Sequence, residues 1–217
     1  MKNLKILLLF IAIISFSAAT AQDPTRFQNE VDKYNKMEVE NTSDIILFTG
    51  SSSIRIWENI DAISKKHNIL NRGFGGSQMS DLYYYREELI LQYNPKQIFI
   101  YEGDNDISDG KSVEIIMADT EKLIAAIRRS LPNVPIVLIS PKPSIARKQL
   151  KESYEALNKT FEQWASGQNN ISFADVWTPM IAKNGEVKDD LFLKDNLHMN
   201  DKGYKIWEKV LKPFLLD

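Results

Sequence analysis

The sequence contains no cysteine and only two histidines among its 217 residues. Without cysteine, the chain has no disulfide framework, no thiolate metal site, no iron–sulfur cluster and no cysteine nucleophile. Two histidines are too few for a three-histidine metal site within one chain. The formal net charge is only −2 and the basic residues are spread along the chain, which argues against nucleic-acid binding. A composition of 43% hydrophobic and 26% charged residues still indicates a globular protein.

The first 21 residues have the pattern of a secretory signal peptide. Lys2 and Lys5 give a basic start, an apolar run covers residues 6–16, and a small-residue cleavage pattern ends at Ala21. The apolar run is too short for a membrane anchor, which needs about 20 such residues. We therefore expect an exported protein, periplasmic or extracellular, with no stable membrane anchor and a single mature domain over residues 22–217.

Five short apolar segments alternate with segments of helical periodicity. Apolar strands separated by helices predict an α/β fold with a parallel sheet covered on both faces. In such sheets, ligands bind beyond the carboxyl ends of the strands. The predicted strands are residues 45–49, 67–71, 97–101, 135–140 and 171–176, and the predicted helices are residues 26–40, 79–93, 113–131, 149–164 and 202–215.

Polar segments follow the first three predicted strands, and a fourth lies near the carboxyl terminus. A serine hydroxyl at such a strand end needs a base to take its proton. His198 is the suitable base, because His67 precedes a strand at its far end. Asp195 could orient His198, and a glycine N–H and the Asn105 amide could stabilise an oxyanion. The four segments are 50–53, 71–76, 103–106 and 195–198.

Each of these segments, taken alone, also fits a structural role. The serine triplet could begin a helix, and Asn105 could cap a loop. Asp104, Asp106 and Asp109 suggest a calcium loop, but the required glycine and terminal glutamate are out of register. We therefore expect no metal and no cofactor.

Taken together, the segments resemble the four blocks of the SGNH hydrolases, also called GDSL-type esterases and lipases. The resemblance covers nearly all of the mature chain, and it identifies Ser52 as the nucleophile and Asp195 and His198 as its partners. It also implies an oxyanion hole formed by the Ser52 N–H, the Gly76 N–H and the Asn105 side chain. The fold it implies is a three-layer α/β/α sandwich with a five-stranded parallel sheet, flavodoxin-like.

One residue departs from the family pattern, because Ser51 stands where the first block usually has aspartate. Ser51 and Ser53 therefore remain alternatives to Ser52 as the nucleophile. Four further residues lie near these segments in the sequence and could line an acyl or alcohol pocket, although a place in the core fits each of them equally well. They are Trp57, Phe74, Trp177 and Met199.

The function predicted from this resemblance is hydrolysis of carboxylic esters through an acyl-enzyme. An exported chain with a small domain favours short acyl groups, acetyl above all, on carbohydrates. A lysophospholipase or another lipid acylhydrolase is the alternative within the same class. A non-catalytic glycan-binding protein on the same fold is the alternative from a different class. The expected partner is a small-molecule or glycan ester.

Overall fold

The predicted five-stranded parallel sheet is confirmed by the computed structural model, which describes residues 23–39 and 41–216. The predicted signal peptide and its cleavage site lie outside the described residues. The strands are β1 (Ile45–Gly50), β2 (Asn68–Gly73), β3 (Gln97–Tyr101), β4 (Ile136–Ile139) and β5 (Ile171–Ala174). They lie in the order β2-β1-β3-β4-β5, and every neighbouring pair is parallel.

Helices cover both faces of the sheet, as in the three-layer sandwich that the resemblance implies. The alternating side chains of each strand enter two hydrophobic clusters. The helices are α1 (Gln28–Asn35), α2 (Ser52–Arg55), α3 (Met79–Tyr84), α4 (Arg86–Leu89), α5 (Asp104–Ser108), α6 (Val113–Ser130), α7 (Lys151–Ser166) and α8 (Asp201–Leu211). One cluster packs against α1, α3, α4, α6 and α7, and the other packs against α2 and α8.

Short 3-10 segments lie in the connections between these elements and at the ends of some helices. Within residues 23–39 and 41–216, no helix has the length and apolar character needed to cross a bilayer. The 3-10 segments are Pro24–Phe27, Ile60–Ile63, Leu91–Tyr93, Lys148–Leu150, Thr178–Met180, Asp189–Leu191 and Lys212–Phe214.

Two predicted helices are shorter or more broken than their periodicity indicates. The helix predicted over residues 26–40 starts as a 3-10 turn that Asp23 caps, and its α-helical part ends at Asn35. The helix predicted over residues 79–93 is interrupted at Tyr85, whose ψ of 19° departs from helical geometry. The Tyr85 ring is buried and packs edge-on against Phe74, so tertiary packing outweighs the local periodicity here.

The strand order shows that successive strands are added first on one side of β1 and then on the other. From β1 the chain moves to β2 on one side and then crosses to β3 on the other side of β1. The carboxyl ends of β1 and β3 therefore flank the crevice in which ligands bind in open α/β sheets. Ser52 begins α2 after β1, and Asn105 lies in the first turn of α5 after β3.

Candidate active site

A tight turn after β1 presents the serine segment. Gly50 has φ +118°, and a Cβ there would lie 2.0 Å from the carbonyl oxygen of Tyr101. Only glycine fits this conformation and this close approach of two strand ends. The chain can therefore leave β1 beside β3 and start α2 at once, which places Ser52 in the first turn of that helix.

Three of the predicted site residues form one chain of hydrogen bonds. The Ser52 Oγ lies 3.0 Å from His198 Nε2. His198 Nδ1 lies 2.6 Å from Asp195 Oδ2. The other Asp195 oxygen accepts the backbone N–H groups of Leu197 and His198, each at 3.0 Å. The carboxylate thus holds both the ring and the backbone of the loop that carries it.

The environment of Asp195 keeps its carboxyl ionised. Partial desolvation acts to raise its pKa, but the hydrogen bonds from His198 and from two backbone N–H groups outweigh that effect and lower the pKa to about 2. A carboxylate that faces Nδ1 favours the tautomer with its proton there. Nε2 is then left as the acceptor for the Ser52 hydroxyl, which is the arrangement that a general base requires.

The neighbouring serines have other partners. The Ser51 hydroxyl is buried and accepts a hydrogen bond from Asn105 Nδ2 at 2.7 Å. Ser53 is also buried, and its carbonyl accepts a hydrogen bond from the Tyr204 hydroxyl. Of the three serine hydroxyls, that of Ser52 is the one within hydrogen-bond distance of His198.

His67, the other histidine, lies at the opposite edge of the sheet. Its ring contacts Asp44 at 3.0 Å and the Leu216 carbonyl at 2.8 Å. Asp44 directly precedes β1, so this pair lies at the amino ends of the strands, away from Ser52.

Backbone and side-chain donors gather beside Ser52. Gly76 is exposed with φ +79° in the loop after β2. Asn105 Nδ2 donates to Ser51 Oγ and, at 2.8 Å, to the Ser77 carbonyl, so it joins the loops after β1 and β2. Among the residues that the structure describes, the N–H groups of Ser52 and Gly76 have no hydrogen-bond acceptor. These two N–H groups are thus free to receive an oxyanion.

A buried cluster of charges behind Asn105 was not predicted from the sequence. Asp104 accepts hydrogen bonds from the hydroxyls of Tyr101 and Tyr154, each at 2.7 Å, and forms ion pairs with Lys142 and Arg147. Burial acts to raise the pKa of Asp104, but Lys142, Arg147 and the two hydroxyls lower it to about 2. The signal for this cluster in the sequence is Lys142, a lysine three residues after the end of β4.

The four predicted pocket residues lie largely in the core. The exposed fractions of Trp57, Phe74, Trp177 and Met199 are 5%, 0%, 9% and 2%. Trp57 stacks on Tyr204, and Trp177 stacks on Tyr154. Of the four, Trp57 and Met199 border an open groove of about 900 Å³ beside α8. A substrate-contacting role for these four residues stays a prediction, and so little exposed surface leaves only their edges available to a ligand.

Solved structures with the same fold include known hydrolases. A protein from Streptococcus pneumonia, provisionally described as a platelet activating factor, aligns with TM-score 0.77 and 24% identity over 89% of this chain and 92% of its own. A GDSL-like lipase from Bacteroides thetaiotaomicron aligns with TM-score 0.72 and 18% identity over 88% and 98%. A catalytic mutant of an acetylxylan esterase from Geobacillus stearothermophilus aligns with TM-score 0.67 and 14% identity over 83% and 98%. At these identities the likeness establishes the fold.

A search of curated proteins gives no match to this sequence. The sequence profile of one family, in contrast, matches residues 50–206, which include all four polar segments and most of the chain. The chain therefore belongs to the GDSL-like lipase/acylhydrolase family.

Proposed function

We propose that this protein is an exported serine esterase that removes short acyl groups, acetyl above all, from carbohydrates. The observation that carries the proposal is the hydrogen-bonded chain from Ser52 through His198 to Asp195. Membership of an acylhydrolase family and a structural likeness to an acetylxylan esterase support it.

The proposed reaction proceeds through an acyl-enzyme. Ser52 Oγ attacks the ester carbonyl carbon while His198 Nε2 takes the hydroxyl proton, and the carbonyl oxygen becomes an oxyanion. The tetrahedral intermediate collapses, the C–O bond to the alcohol breaks, and His198 returns the proton to the leaving oxygen. Water then attacks the acyl-enzyme with His198 again as the base, which releases the acid and restores Ser52.

The oxyanion would be stabilised by the N–H groups of Ser52 and Gly76 and by Asn105 Nδ2. Both N–H groups of the Asn105 amide already have acceptors, Ser51 Oγ and the Ser77 carbonyl. An oxyanion would compete for the first of these, because a neutral hydroxyl is a weaker acceptor than a negatively charged oxygen. The amide is thus held in place before the reaction and strengthens one hydrogen bond during it.

The exposure of the site supports a short acyl group on a large alcohol. The side chains of His198 and Asp195 are 26% and 48% exposed, so the Ser52 hydroxyl lies beside a shallow, accessible surface. A long acyl chain would need an extended apolar pocket. The predicted pocket residues are packed in the core and offer little such surface.

A substrate panel tests the proposal. Purified protein is assayed with an aryl acetate, an aryl octanoate, acetylated xylan and a lysophospholipid, in parallel with Ser52→Ala. We expect turnover of the aryl acetate and release of acetate from xylan, and a loss of at least about 10⁴-fold in kcat for Ser52→Ala. Faster turnover of the lysophospholipid would support a lipid acylhydrolase instead. A folded protein without any turnover would instead indicate a non-catalytic glycan-binding protein.

A further inference from the structure

The guanidinium of Arg147 contacts the first two residues of α5. Its Nη2 donates to Asn105 Oδ1 at 3.0 Å. Its Nη1 donates to the Asp104 carbonyl at 3.1 Å and also bonds to the Asp104 carboxylate. Arg147 lies in the connection between β4 and α7, 42 residues after Asn105, and its side chain is only 16% exposed.

We infer that Arg147 is a positioning residue of the oxyanion hole, which orients the Asn105 amide and strengthens its N–H groups as donors. This inference rests on the proposed function, because it assumes that Asn105 stabilises an oxyanion. Arg147 itself would not contact the substrate, since its partners are Asn105 and Asp104.

The first part of the inference follows from donor and acceptor chemistry. An asparagine side chain has two ends of similar shape, and only its hydrogen-bond partners decide which end faces where. A guanidinium stays protonated and can only donate, so the amide oxygen must face Arg147. The NH₂ group then faces Ser51 and Ser77, beside the nucleophile. The Ser77 carbonyl favours the same orientation from the other side, and Arg147 is the one donor to Asn105 Oδ1 among the residues that the structure describes.

The second part follows from polarisation. A hydrogen bond from a cation to the amide oxygen draws electron density away from the nitrogen, so the N–H groups become better donors. This effect is strongest where water is excluded, and Arg147 is mostly buried. The positive charge also lies one side chain away from the place where negative charge develops in the reaction.

The surrounding cluster holds the guanidinium in this position. Asp104 is fixed by the hydroxyls of Tyr101 and Tyr154 and by Lys142, and it in turn binds Arg147. Arginine suits this position because its planar fork reaches two acceptors at once, whereas the single nitrogen of lysine cannot span both in the same geometry. Arg147 therefore links a rigid buried cluster to a group that must be precisely oriented.

A double-mutant cycle separates this positioning role from a merely structural one. Arg147→Met, Asn105→Ala and the double variant are assayed for kcat and KM on an aryl acetate. We expect Asn105→Ala to lose about 100- to 1000-fold in kcat and Arg147→Met about 10- to 100-fold, each with little change in KM. In the Asn105→Ala background, Arg147→Met should change kcat by less than about twofold, because its effect passes through Asn105.

Two further variants allow for a loss of stability in Arg147→Met. Arg147→Lys keeps the charge beside Asp104, so we expect it to melt close to the wild type and still to lose kcat. Arg128→Met is the matched control. Arg128 also binds loop carbonyls, including that of Asn170 at 3.1 Å, but it does so at the amino ends of the strands, away from Ser52. We expect Arg128→Met to leave kcat unchanged.

The outcomes distinguish this inference from the proposed function. If the wild type has no esterase activity, or Ser52→Ala retains it, the proposed function fails and the inference fails with it. If the wild type and Asn105→Ala behave as expected but folded Arg147→Met or Arg147→Lys keeps full kcat, only the inference is overturned. Equal losses from Arg147→Met in the wild-type and Asn105→Ala backgrounds would likewise overturn it.

Discussion

Two aspartates at the same edge of the sheet have pKa values lowered to about 2, but their surroundings differ in almost every respect. Asp195 is 48% exposed and is held by a histidine ring and two backbone N–H groups. Asp104 is 7% exposed and is held by two cations and two tyrosine hydroxyls. The same ionisation state is thus reached near the surface by a few short hydrogen bonds and in the interior by neighbouring charges.

The difference indicates a division of labour between the two carboxylates. In the proposed reaction Asp195 holds the His198 ring, which must gain and lose a proton in each turnover. Asp195 therefore lies at the accessible surface, beside the ring and the substrate. Asp104 anchors the start of α5, where the Asn105 amide must not move. Substitution of Asp195 should therefore affect catalysis with little effect on stability, whereas substitution of Asp104 should lower stability in addition to disturbing Asn105. The following predictions test this contrast.

The largest expected effect is on the rate, in Asp195→Asn. The new amide can donate to His198 Nδ1 and thereby move the ring proton to Nε2, which then no longer accepts the proton of Ser52. We expect kcat on an aryl acetate to fall by about 10⁴-fold, with little change in melting temperature. Steady-state kinetics and a circular-dichroism melt on the same sample measure both. A variant that melts far below the wild type would contradict the assignment of Asp195 to catalysis alone.

The next effect is on stability, in Asp104→Asn. This change leaves the buried cations Lys142 and Arg147 without their counter-ion. We expect a loss of about 3–5 kcal/mol in the free energy of unfolding, measured by urea denaturation. Asp190→Asn is the matched control, because it removes an exposed ion pair with Lys202 and should have little effect. Similar losses in both variants would remove the contrast between buried and exposed carboxylates.

A smaller effect is expected in the pH dependence of stability. A folded-state pKa of about 2, below the ordinary value of 3.8, means that the folded protein binds fewer protons than the unfolded chain between those values. The stabilisation is therefore complete above about pH 4 and is lost as the pH falls towards 2. We expect Asp104→Asn to flatten this decline more than Asp195→Asn, because solvent screens the exposed group. Urea denaturation from pH 5 to pH 2 is the measurement, and equal slopes in the two variants would contradict the expectation.

The smallest effect is expected for Ser51→Ala. The Ser51 hydroxyl accepts a hydrogen bond from Asn105, and its loss frees one N–H group that an oxyanion can use. We expect only a small change in kcat, in contrast to the nearly complete loss in Ser52→Ala. Abolished activity in a folded Ser51→Ala protein would instead favour Ser51 as the nucleophile.

The sheet and the placement of the site were accessible from the sequence. Apolar runs such as residues 97–101 are buried on both faces, and this pattern is typical of a parallel sheet. Since polar segments followed these runs, the rule for strand ends predicted that Ser52 and Asn105 would lie at one edge, where the structure places them. Those parts depend on short-range patterns, which a single sequence contains.

The remaining parts depend on contacts between distant residues. Arg147 contacts Asn105 across 42 positions, and no local pattern distinguishes it from the other arginines. Trp57 and Trp177 lie near the polar segments in the sequence, yet both side chains pack in the core. The break at Tyr85 likewise follows from its packing against Phe74 and not from any proline or glycine at that point.

The central claim, that Ser52 is the nucleophile, is tested most directly by finding which serine a phosphonate inhibitor labels. The wild-type protein is inactivated with an aryl phosphonate, digested, and sequenced by tandem mass spectrometry to locate the phosphonyl group. We expect one label per chain, on Ser52, with loss of esterase activity in proportion to labelling, and no label in His198→Ala. A label on Ser51 or Ser53, or full activity after labelling of Ser52, would contradict the account.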